Sequence, residues 1–426
     1  MIEHFLTVDR LAVQYIKNHK VFKKSFKELY HDIYRMIGLF KKKNLKPKDK
    51  VAIFIPPYQY IFYVTLFAGM LYQLNLVVFD SYEKKHLKEL VQIEKLSYCF
   101  VDNKTRFLSM VLLPKCKKIC VSSFSKYREK EAPAFHEDSI LLTTFTSGTT
   151  GTPKPIYRTI SFLLKQVEQI KYEINLNLFS VVFGGLPIYN ILSIYSLKTT
   201  CIARKLKTIA IFKPDCVLTT IQKILTEKRS YPEVKNVMLG GAILYSWEAK
   251  KSKEVFPKAQ ITYVYGASEG AIIYKTNLDS YIKNPFIFDI PAKDINVTIE
   301  QKNFSGVGEI VIYGDKVNTL NHMHYTGDLG RLENGKLILV GRKKYSSLEL
   351  GIYNYCLDEE LRMENETNIF TFYYDQKIYV VSEKKLKHKR EGFYYITMKQ
   401  LPMDLKHKTK LNYQECIKQI NKQKNK

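Results

Sequence analysis

Residues Thr143 to Lys154 read TTFTSGTTGTPK and gather the groups that hold phosphate. Gly148 and Gly151 let backbone N–H groups turn toward an anion unobstructed by Cβ, seven Ser/Thr hydroxyls add donors, and Lys154 brings positive charge. The stretch follows the apolar run Ser139-Ile140-Leu141-Leu142, so it is expected to be a loop leaving a buried strand. A Walker A loop is excluded. That motif needs a glycine before its lysine and a hydroxyl after it, and Lys154 stands between Pro153 and Pro155.

Further motifs follow in order. Gly240-Gly241-Ala242 comes after the apolar Val237-Met238-Leu239, a place where backbone can approach a flat ring closely. Tyr265-Gly266-Ala267-Ser268-Glu269, Tyr325-Thr326-Gly327-Asp328 and Gly341-Arg342 come next, and Leu401 to Asn412 (LPMDLKHKTKLN) lies near the C-terminus. Taken singly, a Gly-Gly turn, a turn aspartate or a surface arginine is ordinary loop chemistry. In this order they resemble the adenylate-forming superfamily, which includes acyl-CoA synthetases, peptide-synthetase adenylation domains and firefly luciferase. Thr146 to Lys154 fits the signature [ST]-S-G-[ST]-T-G-x-P-K at every position.

The resemblance implies ATP-dependent activation of a carboxylic acid, a fatty acid first among candidates, to acyl-AMP with release of pyrophosphate. The acyl group then passes to coenzyme A or to the phosphopantetheine of a carrier protein. It implies that Thr146, Ser147, Gly148, Thr149, Thr150, Gly151 and Lys154 hold the β- and γ-phosphates. Gly240, Gly241, Ala242, Tyr265 and Gly266 would flank the adenine, with the Tyr265 ring stacked on it. Ser268 would contact the α-phosphate, and Glu269 with Thr149 would hold Mg²⁺, a cation that prefers oxygen ligands. Asp328 would accept the ribose hydroxyls, Arg342 would reach the ribose, and Lys410 would be the catalytic lysine. Tyr189, Asn190, Gly241 and Gly266 would line the acyl pocket, where apolar neighbours and the lack of an aspartate for an α-ammonium favour a fatty or aryl acid over an amino acid.

The sequence departs from the family in three places. Pro187-Ile188-Tyr189-Asn190 puts an asparagine where many acyl-CoA synthetases keep a histidine, and asparagine does not titrate near neutrality. Tyr345 stands where the hinge usually carries Asp or Lys, although Gly351 is retained. Between Lys377–Ser382 and the strand beginning at Phe393 there is little room for the expected amphipathic helix. A catalytically degraded nucleotide-binding homologue is therefore a second reading.

The elements that must position these motifs alternate between helical spacing (Phe26, Leu29, Ile33, Met36, Ile37, Phe40) and short apolar strands (Val51–Ile55, Leu74–Phe79, Tyr98–Val101). The expected fold is α/β: a large N-terminal domain of mostly parallel, helix-covered sheets with a β-rich subdomain after Asp294, then a small mobile α+β C-terminal domain. The boundary is expected at Gly341 and Arg342, giving domains 1–341 and 342–426. Past it the charge balance shifts, with 14 Lys/Arg against 4 Asp/Glu over residues 377–426.

At 426 residues, 46% hydrophobic and 25% charged, the chain is long enough for more than one domain. A net charge of +26 suggests nucleic acid or a membrane, but the lysines spread along the whole chain rather than gathering in one patch, so no specific nucleic-acid partner is expected. Seven irregularly spaced cysteines form neither a disulfide framework nor a zinc set, which points to reduced thiols in a cytoplasm. MIEHFLTVDR has no signal-peptide core, and uncharged Tyr60–Phe79 reads as a buried helix running into a strand rather than a transmembrane span. The acyl chain length and the oligomeric state are not written in these motifs.

Overall fold

We examined a computed structural model of the chain. It describes residues 2–79, 87, 90–91, 94–133, 139–146, 154–319, 321–403 and 411–424. Chain contacts divide the α/β molecule into two compact units, residues 1–219 with 227–237 and residues 220–226 with 238–426. The expected boundary at 341/342 falls inside the second.

In the first unit the helix Phe26–Lys42 starts with a capping box, in which Ser25 and Glu28 satisfy each other's backbone N–H. Its buried face carries the predicted residues Phe26, Leu29, Ile33, Met36, Ile37 and Phe40. The helix starts at Phe26, the first residue of its apolar pattern, and Lys20–Ser25 before it pairs antiparallel with Leu11–Lys17. Helix Tyr60–Leu71 is apolar all round and almost wholly buried, which explains its lack of charge. No helix among the described residues is long and apolar enough to cross a membrane.

One sheet runs Lys117–Cys120, Tyr98–Val101, Lys50–Phe54, Asn75–Val78, Ile140–Thr146, Lys154–Thr159. Its first five strands are parallel, and the last turns back antiparallel. A second set in this unit places Leu11–Lys17 beside Thr199–Ile202, then Val181–Gly184, then Cys216–Thr220, all parallel.

In the second unit Asn236–Gly240 neighbours Gln260–Ala267, which pairs antiparallel with Ala271–Asn277. The β-rich part is a five-stranded antiparallel sheet ordered Ile287–Phe288, Lys336–Arg342, Met323–Glu333, Gly308–Tyr313, Asn296–Glu300. The chain ends in a three-stranded sheet with helices Asn354–Asn365 and Tyr413–Lys424. Strands Lys377–Ser382 and Phe393–Thr397 are parallel, yet residues 383–392 join them without a helix. This is the shortening expected from the sequence.

Candidate active site

The phosphate-type stretch is less of a loop than its composition predicts. Thr143 to Thr146 belong to the strand Ile140–Thr146, and Lys154 opens the return strand with its Cα opposite that of Thr146. The two strands therefore hold both ends of the Ser147–Pro153 connection. Arg158 stiffens this stem: it donates from Nη1 to Thr144 Oγ1 at 2.5 Å and from Nε to Gln166 Oε1 at 3.2 Å. Ser147, Gly148, Thr149, Thr150 and Gly151 lie outside the described residues, as does Lys410.

Also in the first unit, Pro187 takes the first position of a helix, Pro187–Tyr195, where a loop was expected. Tyr189 and Asn190 thus sit in its first turn. Burial pushes the Tyr189 phenol up to about 12. Asn190 is buried, and its Nδ2 donates at 2.6 Å to the Tyr63 hydroxyl, which donates in turn to the Pro57 carbonyl at 2.7 Å. Its Oδ1 has no hydrogen-bond partner among the described residues and lies against Gly184, where a Cβ would come within 2.1 Å of it. Where the family keeps a titrating histidine, this chain has an asparagine tied to the Tyr60–Leu71 helix.

The second unit gathers most of the remaining predicted residues. Asp328 is their centre: its Oδ1 accepts from Arg342 Nη1 at 2.7 Å and from the Tyr355 hydroxyl at 3.1 Å, and its Oδ2 accepts from the Tyr265 hydroxyl at 3.0 Å. Strand pairing brings this about, because Asp328 and Arg342 are Cα partners on neighbouring strands. Gly327 takes a left-handed φ of 72°, with its missing Cβ facing the Arg342 guanidinium. The Asp328 charge holds Arg342 above its ordinary value, and burial, reinforced by Asp328, pushes the Tyr265 phenol well up. Tyr265 is tied to the acceptor carboxylate as well as presenting a ring.

Gly240 ends the strand Asn236–Gly240, and Gly241 takes φ 95°, a conformation that side chains resist. The Ala242 carbonyl accepts from the Tyr263 hydroxyl at 2.9 Å. A register shift falls between Tyr265 and Gly266, the strand continues to Ala267 before the turn at Ser268, and Gly266 and Ser268 are exposed while Tyr265 is buried. Glu269 is half-buried in the following turn, with His324 Nε2 3.6 Å from its carboxylate. Its backbone carbonyl accepts from Asn318 at 2.7 Å.

Sequence reasoning missed Tyr63, His324 and Tyr355. Each acts across a fold contact, and no local spacing marks it. Tyr345 in the hinge segment is buried and stacks on Tyr413 with ring centroids 3.8 Å apart.

The second-unit cluster offers an oriented carboxylate able to accept from a pair of vicinal hydroxyls, a side-chain-free approach at Gly241 and an acidic oxygen donor at Glu269. The chain is 28% identical over 196 residues to 4-coumarate–CoA ligase of Pinus taeda, covering 40% of this chain and 36% of that protein. It is 25% identical over 240 residues to the putative long chain fatty acid–CoA ligase VraA of Staphylococcus epidermidis, covering 50% and 51%. The chain thus spans about a third to a half of the length of these curated relatives. The fold is that of o-succinylbenzoate CoA synthetase (MenE) from Bacillus subtilis in complex with the acyl-adenylate intermediate OSB-AMP, at TM-score 0.82, 16% identity and 97% coverage of both chains. The family model of the AMP-binding enzyme matches residues 6–319, most of the sequence, and the chain belongs to that family.

Proposed function

We propose that this chain activates a carboxylic acid with ATP, forming acyl-AMP and pyrophosphate, and passes the acyl group to the thiol of coenzyme A. The observation that carries this reading is the Asp328 carboxylate held by Arg342 and Tyr265, a receptor for a ribose diol. The named activities of the two curated relatives, both CoA ligases, support it.

In this reading Asp328 and Arg342 hold the ribose, the bare Gly240-Gly241 backbone admits the adenine, and Ser147–Lys154 surrounds the β- and γ-phosphates. A substrate carboxylate oxygen forms a bond to the α-phosphorus as the bond to pyrophosphate breaks. Lys410 stabilises the charge that develops on the phosphoryl oxygens, and Ser268 positions them. The thiol sulfur then bonds to the acyl carbon and AMP leaves.

The residues fit a magnesium ion. Glu269 supplies a partly exposed hard oxygen donor, and Thr149 would add a hydroxyl. Among the described residues no three His, Cys, Asp or Glu side chains form a metal cluster, so the ion would depend on the nucleotide's own oxygens for most of its shell. When bound, it would neutralise polyphosphate charge. We place the functional boundary at Gly341–Arg342, with residues 342–426 carrying Lys410 as a mobile domain. The acyl substrate is read as a fatty acid, because the helix carrying Tyr189 is apolar over Ile191, Leu192 and Ile194.

The test is pyrophosphate release across medium-chain, long-chain and aromatic acids, with and without coenzyme A or a phosphopantetheinylated carrier. Lys410→Ala is expected to abolish ATP–pyrophosphate exchange. Full exchange in that variant would sink the assignment.

A further inference from the structure

The short helix Arg106–Leu112 is built inside out. Its inward residues are Ser109 and Leu112, while Phe107, Leu108, Met110 and Val111 face outward, 77%, 46%, 48% and 51% exposed. A water-facing surface helix presents polar groups on that side. Here the spacing i, i+1, i+3, i+4 makes one contiguous apolar face with no polar side chain inside it. Lone exposed apolar residues need no explanation, but four on seven consecutive positions do.

Along the sequence, the charge flanking this face is one-signed as far as Glu129. From Asn103 to Arg128 the chain carries seven cations, Lys104, Arg106, Lys115, Lys117, Lys118, Lys126 and Arg128, and no acid. Asp102, just before the run, is buried and turned inward to accept from Thr105. Lys118 caps the end of the segment by donating to the Leu113 and Pro114 carbonyls. Lys104, Arg106, Lys115 and Lys117 remain exposed beside the apolar face. Although the lysines are spread evenly over the chain as a whole, here they form a collar.

We propose that this helix docks the protein onto an anionic lipid surface, with Phe107, Leu108, Met110 and Val111 entering the acyl boundary and the basic collar resting on the headgroups. Two features favour lipid over a protein partner. The apolar face is one side of a single seven-residue helix, whereas a stable protein interface buries roughly 800 Å² per partner. The face also offers no buried polar group to fix an orientation, and a bilayer interface asks only for apolar insertion plus positive charge. The surface stands apart from acid activation, and its test needs neither ATP nor an acyl substrate.

The experiment is co-sedimentation of the full chain with vesicles of phosphatidylcholine alone and with about 30% phosphatidylglycerol, at low and high salt. Binding is expected to the anionic vesicles, weakening several-fold as salt rises from about 0.05 to about 0.5 M. Phe107→Asp with Val111→Asp should weaken it about tenfold or more, since each side chain loses its apolar burial. Lys115→Glu with Lys117→Glu should abolish the preference for anionic vesicles. All four substitutions lie on the surface, and unchanged melting of the variants confirms that they fold. Equal binding to neutral and anionic vesicles, no binding to either, or unaltered binding of the folded variants would overturn the proposal. So would loss in these variants of binding to a purified acidic carrier protein while vesicle binding persists, because the face would then belong to a protein.

Discussion

Asp358 offers a quantitative test of how the end of the chain is held. It lies wholly buried on the helix Asn354–Asn365, and its Oδ1 accepts from the Thr371 N–H at 2.5 Å and hydroxyl at 2.7 Å. Its Oδ2 accepts from the Tyr245 hydroxyl at 2.6 Å. The Arg362 guanidinium stacks on the Tyr245 ring 3.6 Å from its centroid. Burial raises the carboxyl to about 7 although Arg362 and the three donors pull it down. A carboxyl raised in the closed state binds its proton more tightly there than in the opened segment, so its contribution is full below about pH 4 and fades as pH rises through about 7. With an opened-state value near 3.9, the free energy of opening should fall by roughly 2.5 kcal/mol between about pH 5 and about pH 8. Asp358→Asn keeps the acceptor for Thr371 and can donate to the Tyr245 oxygen, but it does not titrate. Hydrogen exchange of the 354–382 segment, corrected for intrinsic rates, should show the pH dependence in the parent and lose most of it in the variant. Identical pH profiles would refute the argument that this carboxyl is protonated in the closed state.

Other substitutions probe the candidate site. Arg342→Ala leaves Asp328 beside two phenols without its cation and removes the proposed ribose contact, so the KM for ATP in pyrophosphate exchange should rise by about tenfold or more. An unchanged KM would remove Arg342 from the nucleotide site. Gly184→Ala drives a Cβ to 2.1 Å from Asn190 Oδ1 and 3.0 Å from its backbone nitrogen, which should cost about 1–3 kcal/mol and lower the melting temperature. A variant that melts like the parent would mean that Asn190 can leave Tyr63 freely.

Tyr265, Asp328 and Arg342, which the structure brings together, were legible because each motif is short and its reason is local. Gly241 and Gly327 both take a positive φ. The β-rich texture after Asp294 was legible because apolar alternation has period two. Two kinds of feature stayed hidden. The return strand Lys154–Thr159 follows a run of glycines and hydroxyls and contains Pro155, so nothing in KPIYRT signals a strand until its partner Ile140–Thr146 is in place. Tyr355 and Tyr63 are tyrosines among many, and their role depends on which carboxylate or amide the fold brings to the hydroxyl, which spacing does not encode. The antiparallel pair Leu11–Lys17 and Lys20–Ser25 was lost for a related reason, since the lysines of VFKKS hide its alternation beside a strong helical pattern.

The burial of Tyr345 bears on where this chain could bend. Its ring is stacked on Tyr413 inside the core formed by Phe370, Phe372 and Val381, which packs it with the final three-stranded sheet. Arg342 is clamped from the other side, its guanidinium on Asp328 and on the Thr326 carbonyl. Between these two anchors stand Lys343 and Lys344, and Lys343 is itself paired with Glu309 at 2.6 Å. Any reorientation of the C-terminal piece about this joint would have to break the Lys343–Glu309 pair together with the Tyr355–Asp328 and Tyr245–Asp358 bonds.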